Sequence, residues 1–276
     1  MKFAYLGPKG TFSEIAANEY LEKYSKNLEL TPYESILEVV TAVDSGNAKE
    51  GIVPIENSVE GSLNITLDML ADRNIKLKII HEIDLEVCHN LISNRGVQQG
   101  DIAEVYAHPQ ALAQCQNYLR RNFPGAQWHP TLSNANAVQQ VKEMGMTNAV
   151  AIAPEIAATE WEMEILDKAI QDSDQNKTRF VVISKNPIRK TEKRKTSVVF
   201  ATRKDKSGAL HEILGLFAKR QINLTKIESR PRKQTIGEYL FFIDFEGSDE
   251  EPEVESLLKE LGAVCSYFKK LGSYNY

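Results

Sequence analysis

Short apolar runs alternate with helical spacing along the first two-thirds of the chain. Phe3 to Leu6 reads as a strand, and Phe12, Ile15, Ala16 and Tyr20 share one face of a predicted helix over 11–24. Leu28 to Leu30 is a second strand candidate. Ser35 to Val43 has helical spacing and is stopped by Gly46. Gly51 to Ile55 predicts a short buried strand ending in a polar loop, and Ser62 to Leu70 a further helix. This strand–helix order predicts a mostly parallel sheet flanked by helices.

From about Ile75 the rhythm changes. Lys76 to Leu91 is long and rich in Ile, Val and Leu, as expected of extended crossing strands. Helices are expected over 109–121 and 134–144, and a strand over 149–152. A segment of this kind inserted into a βα framework predicts two lobes with a cleft between them, where ligands of open α/β sheets bind. A polar, strongly charged stretch over 185–195 then reads as a solvated linker. The remainder is ordered strand 196–202, helix 208–220, strand 222–229, strand 237–245, helix 252–261, strand 265–271. That βαββαβ order is a ferredoxin-like plan.

Composition narrows the classes. The chain has 276 residues, enough for two domains, with 42% hydrophobic and 26% charged residues. A net charge of −5 gives no reason to expect a nucleic-acid surface. No apolar run approaches the ~20 residues that span a bilayer, and the N-terminus lacks a signal-peptide core. Cys88, Cys115 and Cys265 are far apart and fit neither a disulfide framework nor zinc spacing, so reduced thiols in the cytoplasm are expected.

Four segments carry candidate chemistry. Gly7-Pro8-Lys9-Gly10-Thr11-Phe12-Ser13 joins the first strand to the first helix, where a glycine turn and a capped helix start can receive an anion or serve only as a turn. Pro54 to Ser62 crowds Glu56, Asn57, Ser58 and Ser62 onto one turn, more polar groups than capping requires. His108-Pro109-Gln110 opens a helix; Gln110 and Gln114 lie on one face, and His108 reads as a cap before it reads as an acid or base. Asn176-Lys177-Thr178-Arg179-Phe180 starts a strand and offers a hydroxyl and a planar cation. No clustered metal ligands and no Ser-His-Asp order are present.

Taken in order, GPKGTFSE, PIENSVEGSLNITLD, HPQALAQC, NKTRF, the Gly208-Ala209-Leu210 turn, IESRP and LGSY closely resemble the prephenate dehydratase family from Tyr5 to Tyr274. The resemblance implies a two-lobed catalytic domain like a periplasmic binding protein, over 1–186 with its second lobe inserted at about 76–160. It implies a linker over 187–195 and a ferredoxin-like ACT regulatory domain over 196–276. It implies decarboxylating dehydration of prephenate to phenylpyruvate, without metal or redox cofactor. Thr178 is expected to hydrogen-bond the departing oxygen, and Arg179 to orient a carboxylate or brace its loop. Glu56, Asn57 and Ser58 are expected to line the opposite wall, and Thr11 to bind carboxylate. Gln114 is expected to contact substrate or hold the Thr178 loop, and Phe180 to bind substrate. Two departures stand out. Ala107 replaces a serine common in the family before His-Pro-Gln, and Asn134 stands where threonine is common.

The same resemblance implies an effector site for phenylalanine built from Gly208, Ala209, Leu210, Asn223, Glu228 and Ser229, with segments contributed by neighbouring subunits. A homodimer or homotetramer is therefore expected, with no nucleic-acid or membrane partner. Ser207 replaces the usual proline of the glycine turn. Three alternatives share these motifs in part: arogenate dehydratase, a prephenate decarboxylase that does not aromatise, and a non-catalytic amino-acid-binding protein. The intact Thr178-Arg179-Phe180 run counts against the last two. A fused chorismate mutase is not expected, since nothing precedes Met1.

Overall fold

In the computed structural model, residues 1–24, 27–186, 194–203, 206–232 and 238–276 are described. The elements of the first part run β1 (Lys2–Leu6), α1 (Phe12–Lys23), β2 (Glu29–Tyr33), α2 (Ile36–Ser45), β3 (Glu50–Asn57), β4 (Gly61–Ser62), α3 (Asn64–Ala71) and β5 (Lys78–Glu86). The chain then leaves for β6 (Asn90–Ser93), β7 (Glu104–Ala107), α4 (Pro109–Gln114), α5 (Gln116–Asn122), β8 (Gln127–Pro130), α6 (Asn134–Glu143), β9 (Ala149–Ala153), α7 (Glu155–Glu160) and β10 (Glu164–Asp167). It returns as β11 (Lys177–Ser184) and closes with β12 (Arg194–Ala201), α8 (Ala209–Lys219), β13 (Leu224–Pro231), β14 (Tyr239–Glu246), α9 (Pro252–Val264) and β15 (Tyr267–Asn275).

The predicted alternation is present, with local differences. The β1, β2 and β3 strands are parallel, while β11 inserts antiparallel between β3 and β5. The helix expected over 109–121 breaks at Cys115 into two short helices. The helix expected from Ser62 starts at Asn64, because Gly61–Ser62 folds back on β3 as a hairpin. Thr11, Ser35 and Ser133 cap their helices through side-chain oxygens, and Gly46 ends α2 with φ +84°.

Two sheets result. The smaller, in the order β10-β6-β9-β7-β8, forms the inserted lobe. The larger runs β13-β14-β12-β15-β5-β11-β3-β1-β2. Its C-terminal four strands have the ferredoxin-like arrangement with α8 and α9 on one face; Val198, Phe200, Ile243 and Phe245 meet Ile213, Phe217 and Leu257 there. The alternate residues, Val199, Ala201, Phe242 and Tyr267, face the other way and share a core with α2 and α3. Gly272 of β15 lies so close to β5 that an added Cβ would stand 2.2 Å from the Ile79 carbonyl oxygen. The C-terminal unit is thus built onto the first domain by a shared apolar core. Of the linker expected over 187–195, residues 187–193 lie outside the described residues, and Arg194 and Lys195 already belong to β12. Among the described residues no helix is long and apolar enough to cross a membrane.

Candidate active site

The cleft forms where the end of β3 lies beside the start of β11, with Asn57 directly opposite Thr178. It encloses about 370 Å³; Thr11, Phe12, Asn57, Thr178 and Phe180 line it from the large lobe, and His108, Gln110, Leu132 and Asn134 from the small one. An adjoining pocket of about 70 Å³ shares Phe12, Asn57 and Thr178 and adds His89, Gln114 and Asn176. Gly10, at φ +81°, holds the two lobes close at one edge, since a Cβ there would stand 3.1 Å from the Ala157 Cα.

None of these lining residues is Lys or Arg. The starts of α1 and α6, the partly positive ends of their dipoles, border the cleft at their caps Thr11 and Ser133, alongside the carboxylates Glu34 and Glu60. The Thr11 hydroxyl is itself spent, donating to the Leu6 carbonyl at 3.2 Å and accepting from the Glu14 amide at 3.4 Å. At this corner the Glu14 and Ile15 amides are taken by the Thr11 hydroxyl and carbonyl oxygens. His108 is a cap: its Nδ1 accepts from the Gln110 amide at 3.4 Å, and its own amide donates to Asn134 Oδ1 at 3.0 Å.

Asn57 is held by the backbone. Its Oδ1 accepts from the amides of Val59 at 2.9 Å and Glu60 at 3.1 Å. Its Nδ2 donates to Thr178 Oγ1 and to Asn176 Oδ1, both at 2.9 Å. Gln114 Oε1 accepts from Asn176 Nδ2 at 2.9 Å and meets His89 Nε2 at 2.9 Å. Gln114 is thereby bonded to Asn176 at the strand start that carries Thr178, and it also lines the adjoining pocket. His89 is 2% exposed and meets Phe12 edge-on, and burial holds its pKa below the usual 6.5.

Three expected cleft residues point elsewhere. Successive side chains of a strand alternate between faces. Arg179 therefore leaves β11 away from Thr178. Its Nε donates to Glu82 Oε2 at 2.8 Å, its Nη1 meets Asp244 Oδ2 at 2.7 Å, and its Nη2 donates to the Tyr274 hydroxyl at 3.0 Å. Burial alone would lower the basicity of Arg179, but Asp244, Tyr274 and Glu82 outweigh it and hold the guanidinium charged. In this arrangement the guanidinium contacts Glu82, Asp244 and Tyr274 on the face of β11 opposite Thr178. Glu56 alternates with Asn57 and pairs with Lys226 at 2.9 Å and Arg179 at 3.5 Å. Ser58 is exposed and ties its turn to the returning strand, donating to the Gln175 carbonyl and accepting from the Lys177 amide, each at 2.9 Å.

Ala107 is fully buried in the apolar cluster of Ala111 and Ile152, so the missing hydroxyl is not a gap in the cleft lining. Cys115 is buried, and burial pushes its thiol up to about 12. Cys265 is also buried, while Cys88 is exposed. Sequence reasoning misses His89, and gives no role to Asn176 although it heads the NKTRF segment. The signal available for the first was a polar pair, His89-Asn90, inside the apolar run from Val87 to Ile92, because buried polar groups are the informative exceptions in such runs.

In the C-terminal unit, Gly208, Ala209 and Leu210 line a pocket of about 680 Å³ with Arg203, Arg232 and Tyr239. Gly208 adopts φ +83°, which opens the start of α8 to a ligand. Asn223 is exposed outside this pocket. Glu228 faces the first domain and accepts from Ser62 Oγ at 3.2 Å, so it is turned away from an effector on the helix side. Ser229 stands exposed on the free edge of β13.

Comparison with known proteins agrees over the whole chain. A prephenate dehydratase model matches residues 3–188 and an ACT domain model residues 197–263. The bifunctional chorismate mutase/prephenate dehydratase of Aquifex aeolicus is 42% identical over 99% of this chain and 73% of its own length. The prephenate dehydratase of Methanocaldococcus jannaschii is 40% identical over 98% of this chain and 96% of its own. Among solved structures, prephenate dehydratase from Arthrobacter aurescens in complex with L-Phe superposes with a TM-score of 0.92 at 33% identity, covering 100% of this chain and 90% of that one.

Proposed function

The chain belongs to the prephenate dehydratase family, and we propose that it converts prephenate to phenylpyruvate in the cleft that presents Thr178, under feedback control by phenylalanine bound to its ACT domain. In this reaction the bond from the ring to its carboxylate breaks and carbon dioxide leaves. The electron pair enters the ring, and the carbon–oxygen bond opposite breaks. The departing hydroxide takes a proton from solvent and leaves as water, and the ring becomes aromatic. Orientation and stabilisation of the leaving oxygen are what the protein must add.

One observation carries the reading. Thr178 Oγ1 accepts from Asn57 at 2.9 Å and donates to no acceptor among the described residues, so its proton is available to the leaving hydroxyl. A threonine is too weak an acid to give that proton up outright; it polarises the carbon–oxygen bond by hydrogen bonding. The starts of α1 and α6 face the cleft and suit the two carboxylates of prephenate. Phe180, 2% exposed, supplies apolar surface at the cleft wall. Asn57 positions Thr178, while Glu56, Ser58 and Arg179 act from behind as braces.

We assign residues 1–186 to catalysis and 196–276 to regulation. Phenylalanine is placed against the Gly208-Ala209-Leu210 turn, completed by Ser229 on the β13 edge of a second subunit, which requires a homodimer or homotetramer. Regulation then follows from tighter binding to one arrangement of the subunits. A biosynthetic enzyme of this kind works in the cytoplasm.

The test is turnover of prephenate and of arogenate at equal concentration. Phenylpyruvate from prephenate, faster than phenylalanine from arogenate, supports the assignment. The reverse order transfers the same chemistry to arogenate, and neither product overturns the reading.

A further inference from the structure

We infer that His89 and Asn176 are positioning residues for Thr178, the far members of a hydrogen-bond chain whose direction is set by the backbone amides of Val59 and Glu60. The inference rests on the prephenate dehydratase reading only for its kinetic arm.

The direction follows from one fixed end. Backbone amides can only donate, so the Asn57 atom facing Val59 and Glu60 is its carbonyl oxygen. The other end of that amide is then the NH₂ group, and its two protons go to Thr178 Oγ1 and Asn176 Oδ1. Asn176 accepts on its oxygen, so its NH₂ faces Gln114, which must accept on Oε1. The same Gln114 oxygen faces His89 Nε2 at 2.9 Å, so His89 must donate from Nε2. Neutral His89 is therefore the Nε2–H tautomer with a bare Nδ1. That choice is independently favoured: Nδ1 is buried without a partner among the described residues, and a bare lone pair is a milder orphan there than an N–H.

The placement of the members gives the chain a purpose. His89 lies on the outgoing crossover between the lobes, just after β5, and Asn176 on the return, just before β11. The two crossovers are paired, with the Val87 amide donating to the Asn176 carbonyl at 2.9 Å and the Ile170 amide to the His89 carbonyl at 2.8 Å. Gln114 comes from the small lobe. The orientation of the Thr178 hydroxyl is thereby tied to how the two lobes stand. A chain of this length in a desolvated site is worth more intact than its separate bonds suggest.

The decisive experiment is ¹⁵N NMR of the histidine rings, with His89→Gln identifying the signal, combined with steady-state kinetics on prephenate. Wild-type His89 is expected as the Nε2–H tautomer. Asn176→Asp can only accept, which turns Gln114 over, makes it the donor to His89, and converts His89 to Nδ1–H. Its kcat is expected to fall at least 10-fold with KM within about 3-fold. His89→Leu is expected to behave likewise, and His89→Gln, which keeps a donor, to recover most of the rate. Wild-type His89 as Nδ1–H overturns the chain, and so does an unchanged tautomer in Asn176→Asp. Wild-type kcat in His89→Leu overturns the positioning role. If His89→Leu does not fold, the Asn176→Asp pair of measurements decides. The tautomer is read without substrate, so a wild-type protein inactive on prephenate strikes the functional reading while the NMR still judges the chain.

Discussion

Thr178 and Arg179 are neighbours on β11, yet one faces the cleft and the other the regulatory unit, where the Arg179 guanidinium lies 2.7 Å from the Asp244 carboxylate. Around this pair Glu56, Glu82 and Asp244 stand against Arg179, Lys195 and Lys226, a balanced set of charges that are largely buried except at Glu56, which is 35% exposed. A balanced buried network specifies one docking geometry more than it adds net stability. This network begins one residue from Thr178 on the same strand.

Removing one partner of this network leaves a buried charge uncompensated. Asp244→Ala is expected to cost about 3–5 kcal/mol in urea unfolding. A loss below about 1 kcal/mol would show that Arg179 does not depend on this contact.

The seam between the two units rests on Gly272. Any larger residue pushes β15 off the β5 backbone, because a Cβ at this position would overlap the Ile79 carbonyl. Gly272→Ala is expected to destabilise by about 1–3 kcal/mol and to weaken inhibition by phenylalanine. Unchanged inhibition would separate the seam from regulation.

At the lobe edge, Gly10→Ala combines a left-handed backbone with a contact of 3.1 Å to Ala157. The lobes are expected to be held apart, lowering kcat/KM about 10-fold or more with a smaller change in melting temperature. Wild-type kcat/KM in a folded Gly10→Ala would contradict the closeness of the lobes at this edge.

Burial gives His89 a signature in acid. Its folded pKa lies below 6.5, chiefly through desolvation, with the Gln114 hydrogen bond opposing. Below 6.5 the unfolded chain binds a proton that the folded protein refuses. Stability therefore falls as pH drops from about 6.5 towards the folded pKa and is unaffected by this group above it. Calorimetry of wild type and His89→Gln should show a gentler acid slope in the variant. Identical slopes would mean that His89 titrates normally in the folded state.

Much of this arrangement is legible in the sequence, and the limits are physical. Periodicity gives β1, α1, α2 and the βαββαβ order, because each of these elements buries one regular face. The seven motifs locate Thr178 and Asn57. Which face of β11 meets the cleft is not contained in the run Thr178-Arg179-Phe180: alternation says that neighbours diverge, but only the packing of the ACT sheet fixes which way Arg179 goes. Glu56 and Ser58 were grouped with Asn57 for the same reason. Glu228 bonds Ser62 across 166 positions of sequence, a contact that no local pattern encodes. His89 and Asn176 meet through Gln114 only after the chain has left the large lobe and returned.

The most direct measurement compares phenylpyruvate formation from prephenate by the wild-type protein and Thr178→Val, without added cofactor, each with and without phenylalanine. Wild-type turnover that phenylalanine suppresses, with at least a 100-fold lower kcat in a folded Thr178→Val, is the predicted result. Turnover by Thr178→Val within a few-fold of wild type would contradict the account, because the hydroxyl held by Asn57 would then not be the group that acts on the leaving oxygen.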